Sequence, residues 1–401
     1  MRYDLIVVGA GPAGSTVARE CAGQGFSVLL LDKAVFPRDK PCGGGVTLRA
    51  ARLLPFDLSP VTERSVTGIE MTLRGRQGLI CDAPQPIAYL TQRSRFDHFL
   101  MERAVKEGAI LRERLAIREI ERQPSHLIVR AGNETFTGRT LVVADGANGE
   151  TARRAGLAVP KWRGIAIEGN LIPSGPFPDR WRERMGIDLG GVAGGYSWIF
   201  PKGDHLNIGL GGIHSVGSVL RRRLEEVVRF SGFDPAFLHG VRAHPLPIRR
   251  KETPLVDGNL LLVGDAAGLI DMMTGEGIYS ALWSGQAAAK HLSAYLIGTA
   301  PDPQGYRREV ERDLLPELRI SFQLWSLFHL MPIFLTKFLL HDGSGPISRT
   351  IGWPRLRQIL QGEERFEAIK RDLFFLWPIV DRLLPPSLFP SISRFLGVWQ
   401  R

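Results

Sequence analysis

The chain has 401 residues, 44% of them hydrophobic, so it can bury a large core divided among two or three lobes. Its formal net charge of +10 suits an anionic membrane surface or acidic small molecules, but no nucleic-acid-binding module accompanies that charge, so nucleic acid is not an expected partner. Three cysteines, Cys21, Cys42 and Cys81, are too few for a disulfide framework or a zinc site, which predicts a reducing compartment and no metal.

An apolar strand is predicted over residues 3–8, two residues into the chain. Its residues are mostly Val, Ile and Leu, as in a parallel strand that is buried on both faces. No charged segment and apolar run of the signal-peptide form precedes it. We therefore expect a cytoplasmic protein, either free or attached peripherally to the cytoplasmic membrane.

The strand is followed by GAGPAG, residues 9–14, which fits the GxGxxG dinucleotide fingerprint. In that fingerprint Gly9 permits a tight turn, Gly11 lets a pyrophosphate approach the backbone, and Gly14 lets the helix pack on the strand. The helix N-terminus offers unpaired N–H groups to phosphates. A second strand ends at Asp32, whose carboxylate can accept hydrogen bonds from ribose hydroxyls. This segment predicts a dinucleotide site and leaves FAD and NAD equally open.

Residues 40–46 read KPCGGGV and place one cysteine against three glycines. Consecutive glycines remove every side chain that would hold a ligand away from the backbone. We expect a flat group to pass close to this backbone, with Cys42 beside it. Two roles stay open for Cys42: a chemical role toward substrate or flavin, and a small residue packed in a tight turn.

Two further segments resemble parts of a cofactor site. Residues 93–100, RSRFDHFL, predict a helix that starts at Arg93. Residues 141–148, LVVADGAN, predict an apolar strand that ends at Asp145 and Gly146. Taken alone, the second segment is more often an ordinary corner between a strand and a loop.

Large aromatic residues alternate over residues 195–203, GYSWIFPKG. Tyr196, Trp198 and Phe200 recur at period two, so they project from one face of a predicted strand that Pro201 ends. The chain then turns back into a second strand with a glycine-lined face. A stripe of this kind is more often core than pocket, and both interpretations stay open.

Residues 260–268, LLLVGDAAG, predict another apolar strand, which ends at Gly-Asp265 and leads to TGEGI at residues 274–278. Asp265 can accept hydrogen bonds from ribityl hydroxyls, and the N–H groups of Gly277 and Ile278 can face negative charge on a reduced flavin. Glu276 is predicted to cap the helix that begins there. Because a nicotinamide cofactor would not need this second, remote clamp, the sequence favours FAD.

The C-terminal segment past Tyr306 is helical, aromatic and basic. Residues 322–340 are nearly long enough for a bilayer span, but Pro332 interrupts them and polar residues follow a helical stripe. The stripe consists of Gln323, Ser326, His329 and Lys337. An amphipathic element is therefore predicted, whose apolar face lies on a membrane, walls a substrate tunnel or packs on the preceding domain. Residues 374–378 and 389–399 repeat this composition, which favours the first two roles.

The fingerprint, the helix from Arg93, the Asp145-Gly146 pair and the Gly-Asp265 segment stand in the order of the p-hydroxybenzoate-hydroxylase-like flavoproteins and resemble their motifs. Two more stretches, PCGG at residues 41–44 and YxWxFP at residues 196–201, resemble motifs of the geranylgeranyl reductase family. Flavin hydroxylases of the same superfamily lack both. The resemblance covers about residues 1–310 and suggests membership of that family.

The resemblance implies an α/β fold. It consists of a Rossmann-type FAD/NAD(P)-binding domain, an inserted antiparallel-sheet substrate domain and a helical C-terminal region. The FAD-binding domain is expected to be assembled from residues 1–60, 90–160 and 250–310. The substrate domain takes residues 61–89 and 161–249, and the helical, amphipathic region takes residues 311–401.

The resemblance also implies the site. Cys42 and Tyr196 are the candidate catalytic residues, although an aromatic wall is the simpler role for Tyr196. The substrate is expected to lie on Tyr196, Trp198, Phe200 and Pro201. The residues expected to bind FAD are Gly9, Gly11, Ala13, Gly14, Asp32, Lys33, Cys42, Gly43, Gly45, Arg93, Ala116, Asp145, Gly146, Asp265, Gly275, Gly277 and Ile278.

The implied reaction is reduction of carbon–carbon double bonds in a geranylgeranyl-type prenyl chain, by hydride from reduced FAD and a proton from the site. Only one dinucleotide fingerprint is present, so NAD(P)H docks transiently or another carrier delivers the electrons. The substrate stays open among a chlorophyll precursor, a prenyl diphosphate, an ether lipid and a quinone side chain. The alternatives are an FAD-dependent monooxygenase or halogenase, and a membrane-associated flavin-binding protein without catalysis.

Overall fold

The structure is a computed structural model. It describes residues 2–159, 162–173, 175, 178–192, 194–213, 219–249, 253–330, 352–373 and 377–384. In chain order the strands are β1 (Arg2–Val8), β2 (Val28–Leu31), β3 (Gly45–Thr47), β4 (Arg64–Val66), β5 (Gly68–Leu73), β6 (Arg76–Asp82), β7 (Ala88–Leu90), β8 (Ile110–Arg112), β9 (Ile117–Arg122), β10 (Leu127–Ala131), β11 (Glu134–Val143), β12 (Trp162–Leu171), β13 (Arg184–Leu189), β14 (Tyr196–Pro201), β15 (Leu206–Ile213), β16 (Leu238–Ile248), β17 (Val256–Asp257) and β18 (Leu260–Leu262).

The α-helices account for much of the remaining described chain. They are α1 (Pro12–Ala22), α2 (Leu48–Ala51), α3 (Arg93–Lys106), α4 (Glu150–Arg154), α5 (Leu220–Phe230), α6 (Ile278–Leu296), α7 (Gln304–Glu309), α8 (Leu315–Leu330), α9 (Trp353–Gln361), α10 (Phe366–Asp372) and α11 (Trp377–Leu383). A π-helical turn, Val310–Leu314, joins α7 to α8.

The first sheet has the order β17-β18-β11-β1-β2-β8, with the β9–β10 hairpin attached to β11. From β18 to β8 its neighbouring strands run parallel. Ile6 pairs with Leu141, which pairs in turn with Leu260, so the three apolar segments do share one sheet as the sequence predicted. The helix α1 packs between α3 and α6 beside this sheet. The predicted α/β class with a Rossmann-type domain is confirmed.

The second sheet has seven strands in the order β16-β12-β15-β14-β13-β5-β6. It is antiparallel as predicted, except that β5 and β13 run parallel. The pair β5–β6 comes from an earlier part of the chain, so no tight hairpin to β13 dictates its direction. The helix α5 covers one face of this sheet through Leu220, Leu224 and Val228. The other face is turned toward the first sheet. The exact division of the chain into domains stays a prediction.

The helix α8 differs from the sequence prediction. Its polar residues Gln323 and Ser326 are fully buried, and Phe322 and Trp325 beside them are buried as well. Gln323 donates to Asp381 at 2.9 Å and the Ser326 hydroxyl donates to the carbonyl of Phe322 at 2.8 Å. This part of the predicted polar stripe is therefore buried against protein: Gln323 contacts α11, and His329 Nε2 lies 3.2 Å from the carbonyl of Gly195.

The remainder of that prediction cannot be compared with the fold. Pro332 and Lys337 lie outside the described residues, as do residues 374–376 and 389–399. Within the part of the chain that the structure describes, no helix is both long and apolar enough to cross a membrane.

Candidate active site

One cavity of about 1330 Å³ lies between the two large sheets and extends toward the C-terminal helices. It brings together most of the residues that the sequence singled out, although they are up to 270 positions apart. The predicted residues that line it are Gly9, Gly11, Ala13, Asp32, Lys33, Cys42, Gly43, Gly45, Arg93, Ala116, Asp145, Gly146, Tyr196, Trp198, Phe200, Asp265, Gly275, Gly277 and Ile278. Gly14 and Pro201 do not line the cavity.

The fingerprint glycines have different surroundings. A methyl group on Gly14 would overlap the carbonyl of Gly9, and one on Gly9 would overlap the carbonyl of Ala144, so both glycines are required by packing of the protein on itself. A methyl group on Gly11 would meet only Arg38, at 3.6 Å. Gly11 therefore faces open space in the cavity at the N-terminus of α1. Asp32, at the end of β2, accepts from the N–H groups of Ala10 and Ala34, at 2.8 Å each.

Asp145 presents an unsatisfied acceptor in the cavity wall. One carboxylate oxygen accepts from the N–H of Thr151 at 2.7 Å, whereas the other is buried without a hydrogen-bond partner. Burial raises the pKa of this carboxyl group. A buried acceptor of this kind calls for a donor, which a bound ligand's hydroxyl group would supply.

Asp265 and the start of α6 face the same cavity from the Gly-Asp segment. Asp265 lies 3.3 Å from the ammonium of Lys40, and although burial alone would raise its pKa, Lys40 and His244 bring the net shift downward. Gly277 is the N-cap of α6, and no side chain caps that helix. The N-terminus of a 19-residue helix is thus directed at the cavity.

Three consecutive charged residues anchor the loop that precedes the glycine run. Arg38 lies 3.0 Å from Asp97 in α3, Asp39 pairs with Arg242 in β16, and Lys40 pairs with Asp265. The loop is therefore tied to both large sheets and to α3. Asp97 also forms a bidentate pair with Arg93, at 2.7 and 2.8 Å.

The glycine run is packed against protein atoms. A methyl group on Gly43 would lie 2.8 Å from the ring of Phe200 and 3.0 Å from the indole nitrogen of Trp198. Gly44 has φ +65°, and a methyl group there would overlap the carbonyl of Thr91. The aromatic stripe and Thr91 therefore already require glycine at positions 43 and 44, and the expectation that a flat group passes close to this backbone stays a prediction.

Cys42 sits among hydrogen-bond donors. Its sulfur accepts from the N–H of Gly44 at 3.4 Å, and the guanidinium of Arg93 also interacts with it. Lys202 is buried behind the same loop and donates to the carbonyls of Gly43 and Thr91 at 2.7 and 2.9 Å. Burial lowers the pKa of Lys202 to about 8.

The aromatic stripe lies on the cavity-facing side of β14, so of the two open interpretations the structure supports a pocket wall. The Tyr196 hydroxyl donates to the carbonyl of Thr274, and burial raises its pKa. Trp198 donates through Nε1 to Asn207 at 2.8 Å. Both side chains are thus held in place by hydrogen bonds as well as by packing.

Glu276 does not cap α6 as predicted. Its carboxylate accepts from Arg49 at 3.0 and 2.9 Å and from the Thr47 hydroxyl. Arg49 also lies 3.9 Å from Asp271 and 3.6 Å from Glu317 in α8. The TGEG segment is therefore held by a buried charge network that reaches the C-terminal helices. Sequence analysis missed it because its members are about 220 to 270 positions away from Arg49.

The far end of the cavity is apolar. Its lining from α8 to α10 includes Leu324, Leu327, Phe328, Leu356, Phe366 and Ile369. The C-terminal helices thus wall the cavity, as one of the three sequence-based alternatives proposed. The sequence analysis also missed Glu168, His244 and Lys202; of these only Lys202 had a signal, since it directly follows the YxWxFP motif.

Comparison with known proteins decides the family. A model of the FAD binding domain matches residues 2–181. The chain is 31% identical over 324 residues to a geranylgeranyl diphosphate reductase of Rhodobacter capsulatus, covering 75% of this chain and 78% of that protein. The chain belongs to the geranylgeranyl reductase family. The same 401-residue chain is 32% identical over 325 residues to a menaquinone reductase of Mycobacterium tuberculosis, covering 73% of this chain and 76% of that protein.

Solved structures share the fold of this geranylgeranyl reductase family member. A geranylgeranyl bacteriochlorophyll reductase-like protein from Thermoplasma acidophilum has a TM-score of 0.78 at 23% identity, covering 94% of this chain and 99% of that chain. A flavin-dependent brominase has a TM-score of 0.73 at 19% identity, with coverages of 94% and 99%. At these identities the likeness concerns the fold alone.

The protein is an FAD-dependent oxidoreductase of this family, and its own atoms fit the cofactor. Gly11 leaves room at a helix N-terminus, and a buried oxygen of Asp145 lacks a donor. Asp32 and Asp265 stand at strand ends on the same cavity. Among the described residues, no group of three His, Cys, Asp or Glu side chains is arranged to hold a metal ion.

Proposed function

We propose that this protein saturates carbon–carbon double bonds in the prenyl chain of a lipid or isoprenoid. The observation that carries the proposal is the continuity of one cavity from the fingerprint, past the aromatic stripe, to the apolar wall of α8–α10. A prenyl chain is long, narrow and apolar, so it suits the apolar end while a double bond lies near the flavin. The names of the geranylgeranyl diphosphate reductase and menaquinone reductase relatives support this substrate class.

We assign FAD to the polar end. The N-terminus of α1 at Gly11 would hold the pyrophosphate, and Asp32 would accept from the ribose. Asp145 and Asp265 would accept hydrogen bonds from hydroxyl groups of the cofactor, including those of its ribityl chain. The remaining assigned residues are Gly9, Ala13, Gly14, Lys33, Cys42, Gly43, Gly45, Arg93, Ala116, Gly146, Gly275, Gly277 and Ile278. Reduced FAD, when bound, supplies the hydride.

We assign the substrate to the aromatic stripe. Tyr196, Trp198 and Phe200 form a continuous wall, with ring centroids 6.4 and 6.3 Å apart along the strand. Pro201 ends the strand and does not itself line the cavity. Apolar side chains around a bound prenyl chain exclude water, which strengthens electrostatic interactions at the reacting double bond. Cys42, at the junction of the two ends, would contact substrate or flavin.

An anaerobic single-turnover experiment tests the proposal. The purified flavoprotein is reduced chemically and mixed with geranylgeranyl diphosphate, menaquinol (whose ring is already reduced) or a digeranylgeranylglycerol phospholipid in detergent. We expect at least one of them to reoxidise the flavin, seen by visible absorbance, and to gain two hydrogen atoms per reduced bond by mass spectrometry. Failure of all three, with oxygen-dependent turnover of an aromatic compound instead, would establish the monooxygenase alternative.

The electron donor is a separate proposal. Because the chain has one fingerprint, we propose that NAD(P)H docks transiently at the open cavity, or that a reduced carrier replaces it. Stopped-flow reduction of the oxidised flavin by NADPH, NADH and a reduced ferredoxin distinguishes these donors.

A further inference from the structure

One carboxyl group stands on an otherwise uncharged wall of the cavity. Along β12, the alternating residues Gly164, Ala166 and Glu168 face the cavity, whereas Ile165 and Ile167 pack into the core on the opposite face. Glu168 is 7% exposed. Among the described lining residues from the seven-stranded sheet, it is the one acid. A carboxyl group at such a position is costly to bury, which makes it a candidate for a chemical role.

Asn207 holds this carboxyl group beside the aromatic stripe. Its amide nitrogen donates to Glu168 Oε2 at 3.1 Å and to Asn170 Oδ1 at 3.0 Å. Its amide oxygen accepts from the indole of Trp198 at 2.8 Å. The same amide therefore fixes both Trp198 and Glu168, so a chain that lies on the indole passes next to the carboxyl group.

The surroundings favour the protonated form of Glu168. Burial raises its pKa, and the nearby carboxylate of Asp39 raises it further. The N–H of Cys42, the Asn207 amide and the ammonium of Lys202 act in the opposite direction, and the net shift is upward. A carboxylic acid with a raised pKa keeps its proton closer to neutral pH, as a general acid needs.

The neighbouring strand β16 adds little positive charge to this site. Arg242 lies directly opposite Glu168 in the sheet register, but it is paired with Asp39. His244, next along the same face of β16, has a pKa lowered by burial, and its Nε2 has no hydrogen-bond partner. Neither residue therefore provides a free cation that would hold Glu168 ionised.

Two other proton donors near the stripe are engaged elsewhere. The Tyr196 hydroxyl donates to the carbonyl of Thr274, and burial weakens it as an acid. The ammonium of Lys202 donates to two carbonyls behind the glycine loop and does not line the cavity. Glu168 lines the cavity, whereas the Tyr196 proton is held by the carbonyl of Thr274 and Lys202 lies outside the lining.

We propose that Glu168 is the acid that protonates the prenyl double bond, with Asn207 as its positioning residue. The inference rests on the proposed function. In this step the π bond breaks, one alkene carbon takes a hydride with both electrons from reduced FAD, and the other takes the Glu168 proton. Glu168 is left as a carboxylate and regains a proton from water before the next turnover, so atoms and charges balance.

The test compares Glu168→Gln with Asp188→Asn in the intact flavoprotein. Asp188 is a matched control because it is also a buried acid of the seven-stranded sheet with a pKa raised by burial, but it lies on the face away from the cavity. There it accepts from Thr72 and Gly75 at 2.7 Å each, contacts that an asparagine oxygen preserves. We expect Glu168→Gln to slow anaerobic flavin reoxidation by the prenyl substrate about 100-fold or more, and Asp188→Asn to leave it unchanged.

Two measurements separate an acid from a merely structural residue. Glu168→Gln should keep the FAD content, the flavin reduction potential and the prenyl dissociation constant of the wild type. The infrared band of a protonated carboxylic acid, obtained as wild type minus Glu168→Gln, should disappear with rising pH later than that of an exposed glutamate. A Glu168→Asp variant, which restores an acid at a greater distance, should recover part of the rate.

Three outcomes overturn the inference. One is a Glu168→Gln variant that reoxidises as fast as the wild type, which leaves the proposed function standing. Another is a lost rate accompanied by equal loss of FAD or substrate binding, which makes Glu168 structural. If no prenyl compound reoxidises even the wild type, the proposed function fails and this inference fails with it.

Discussion

The ammonium of Lys202 lies 2.7 Å from the carbonyl oxygen of Gly43. This contact joins the end of the aromatic strand to the glycine run, two stretches that are 159 positions apart in the chain. The same ammonium donates to Thr91, whose carbonyl already restricts Gly44. Cys42 and its loop are therefore placed by a buried lysine that no cofactor motif includes.

Lys202 should give the protein a pH-dependent stability. Its pKa is about 8 in the fold because of burial, against 10.5 for an unperturbed lysine. Between these values the unfolded chain binds more protons, so the Lys202 contribution to the free energy of unfolding rises with pH, by on the order of 3 kcal/mol in the limit. Urea unfolding at several pH values should show this slope in the wild type and not in Lys202→Met. An unchanged slope in Lys202→Met would contradict the prediction. Lys370→Met serves as the control, because Lys370 is an exposed lysine that pairs with Asp381 at the surface.

Glu317 should make the free energy of unfolding fall, rather than rise, with increasing pH. Burial raises its pKa to about 7 from 4.5, although Arg49 and Arg365 oppose the shift. The folded chain then binds more protons than the unfolded chain in this interval, so the stability that Glu317 contributes is present below about pH 4.5 and is lost as pH rises through 7. We expect Glu317→Gln to be at least as stable as the wild type above neutral pH. A marked destabilisation there, absent from the exposed control Glu363→Gln, would show that its ion pairs outweigh its burial.

The fingerprint glycines should separate folding from cofactor binding. In Gly11→Ala the new methyl group meets only Arg38, so the melting temperature of the FAD-free protein should not change, while FAD affinity falls roughly tenfold or more. In Gly14→Ala the methyl group overlaps the carbonyl of Gly9, so the FAD-free protein itself should lose about 1–3 kcal/mol. Calorimetry and FAD titration of both variants check this. Equal FAD affinity in Gly11→Ala and the wild type would remove the pyrophosphate assignment.

Tyr196→Phe should distinguish a wall from a proton donor. Because the hydroxyl donates to the carbonyl of Thr274, its removal frees one backbone acceptor and leaves the ring in place. We expect the single-turnover rate to fall by less than about tenfold, well short of the loss typical of a missing general acid. Measuring the rate against substrate concentration separates binding from chemistry. A loss of about 100-fold at saturating substrate would return Tyr196 to the role of acid.

Motifs predicted the cofactor end of the site because each of them depends on local backbone chemistry. Gly11 and Asp32 belong to one strand-turn-helix unit, and Asp145 and Asp265 end neighbouring strands. Parallel strands place their carboxyl ends at one edge of the sheet, so the convergence of these residues follows from the sequence once the strands are assigned. The aromatic stripe followed in the same way from a period of two.

The remaining features depend on what covers a surface, which periodicity does not specify. Glu168 is the one acidic residue of β12, and nothing in the sequence of that strand shows that its face borders a cavity. Gln323 and Ser326 form a polar stripe at helical spacing, but both are buried; Gln323 donates to Asp381, and its side-chain oxygen has no hydrogen-bond partner. The packing of Phe200 on Gly43 likewise cannot be predicted from local sequence, because the two residues lie in distant parts of the chain.

The cavity divides its wall between two parts of the sequence. The polar end comes from residues before Tyr279, whereas α8 and the helices after it supply the apolar end. Under the proposed function, substitutions in α8–α11 would therefore reshape the apolar end and leave the residues assigned to FAD unchanged. Under the same proposal, relatives that accept prenyl chains of different lengths should differ chiefly in these C-terminal helices.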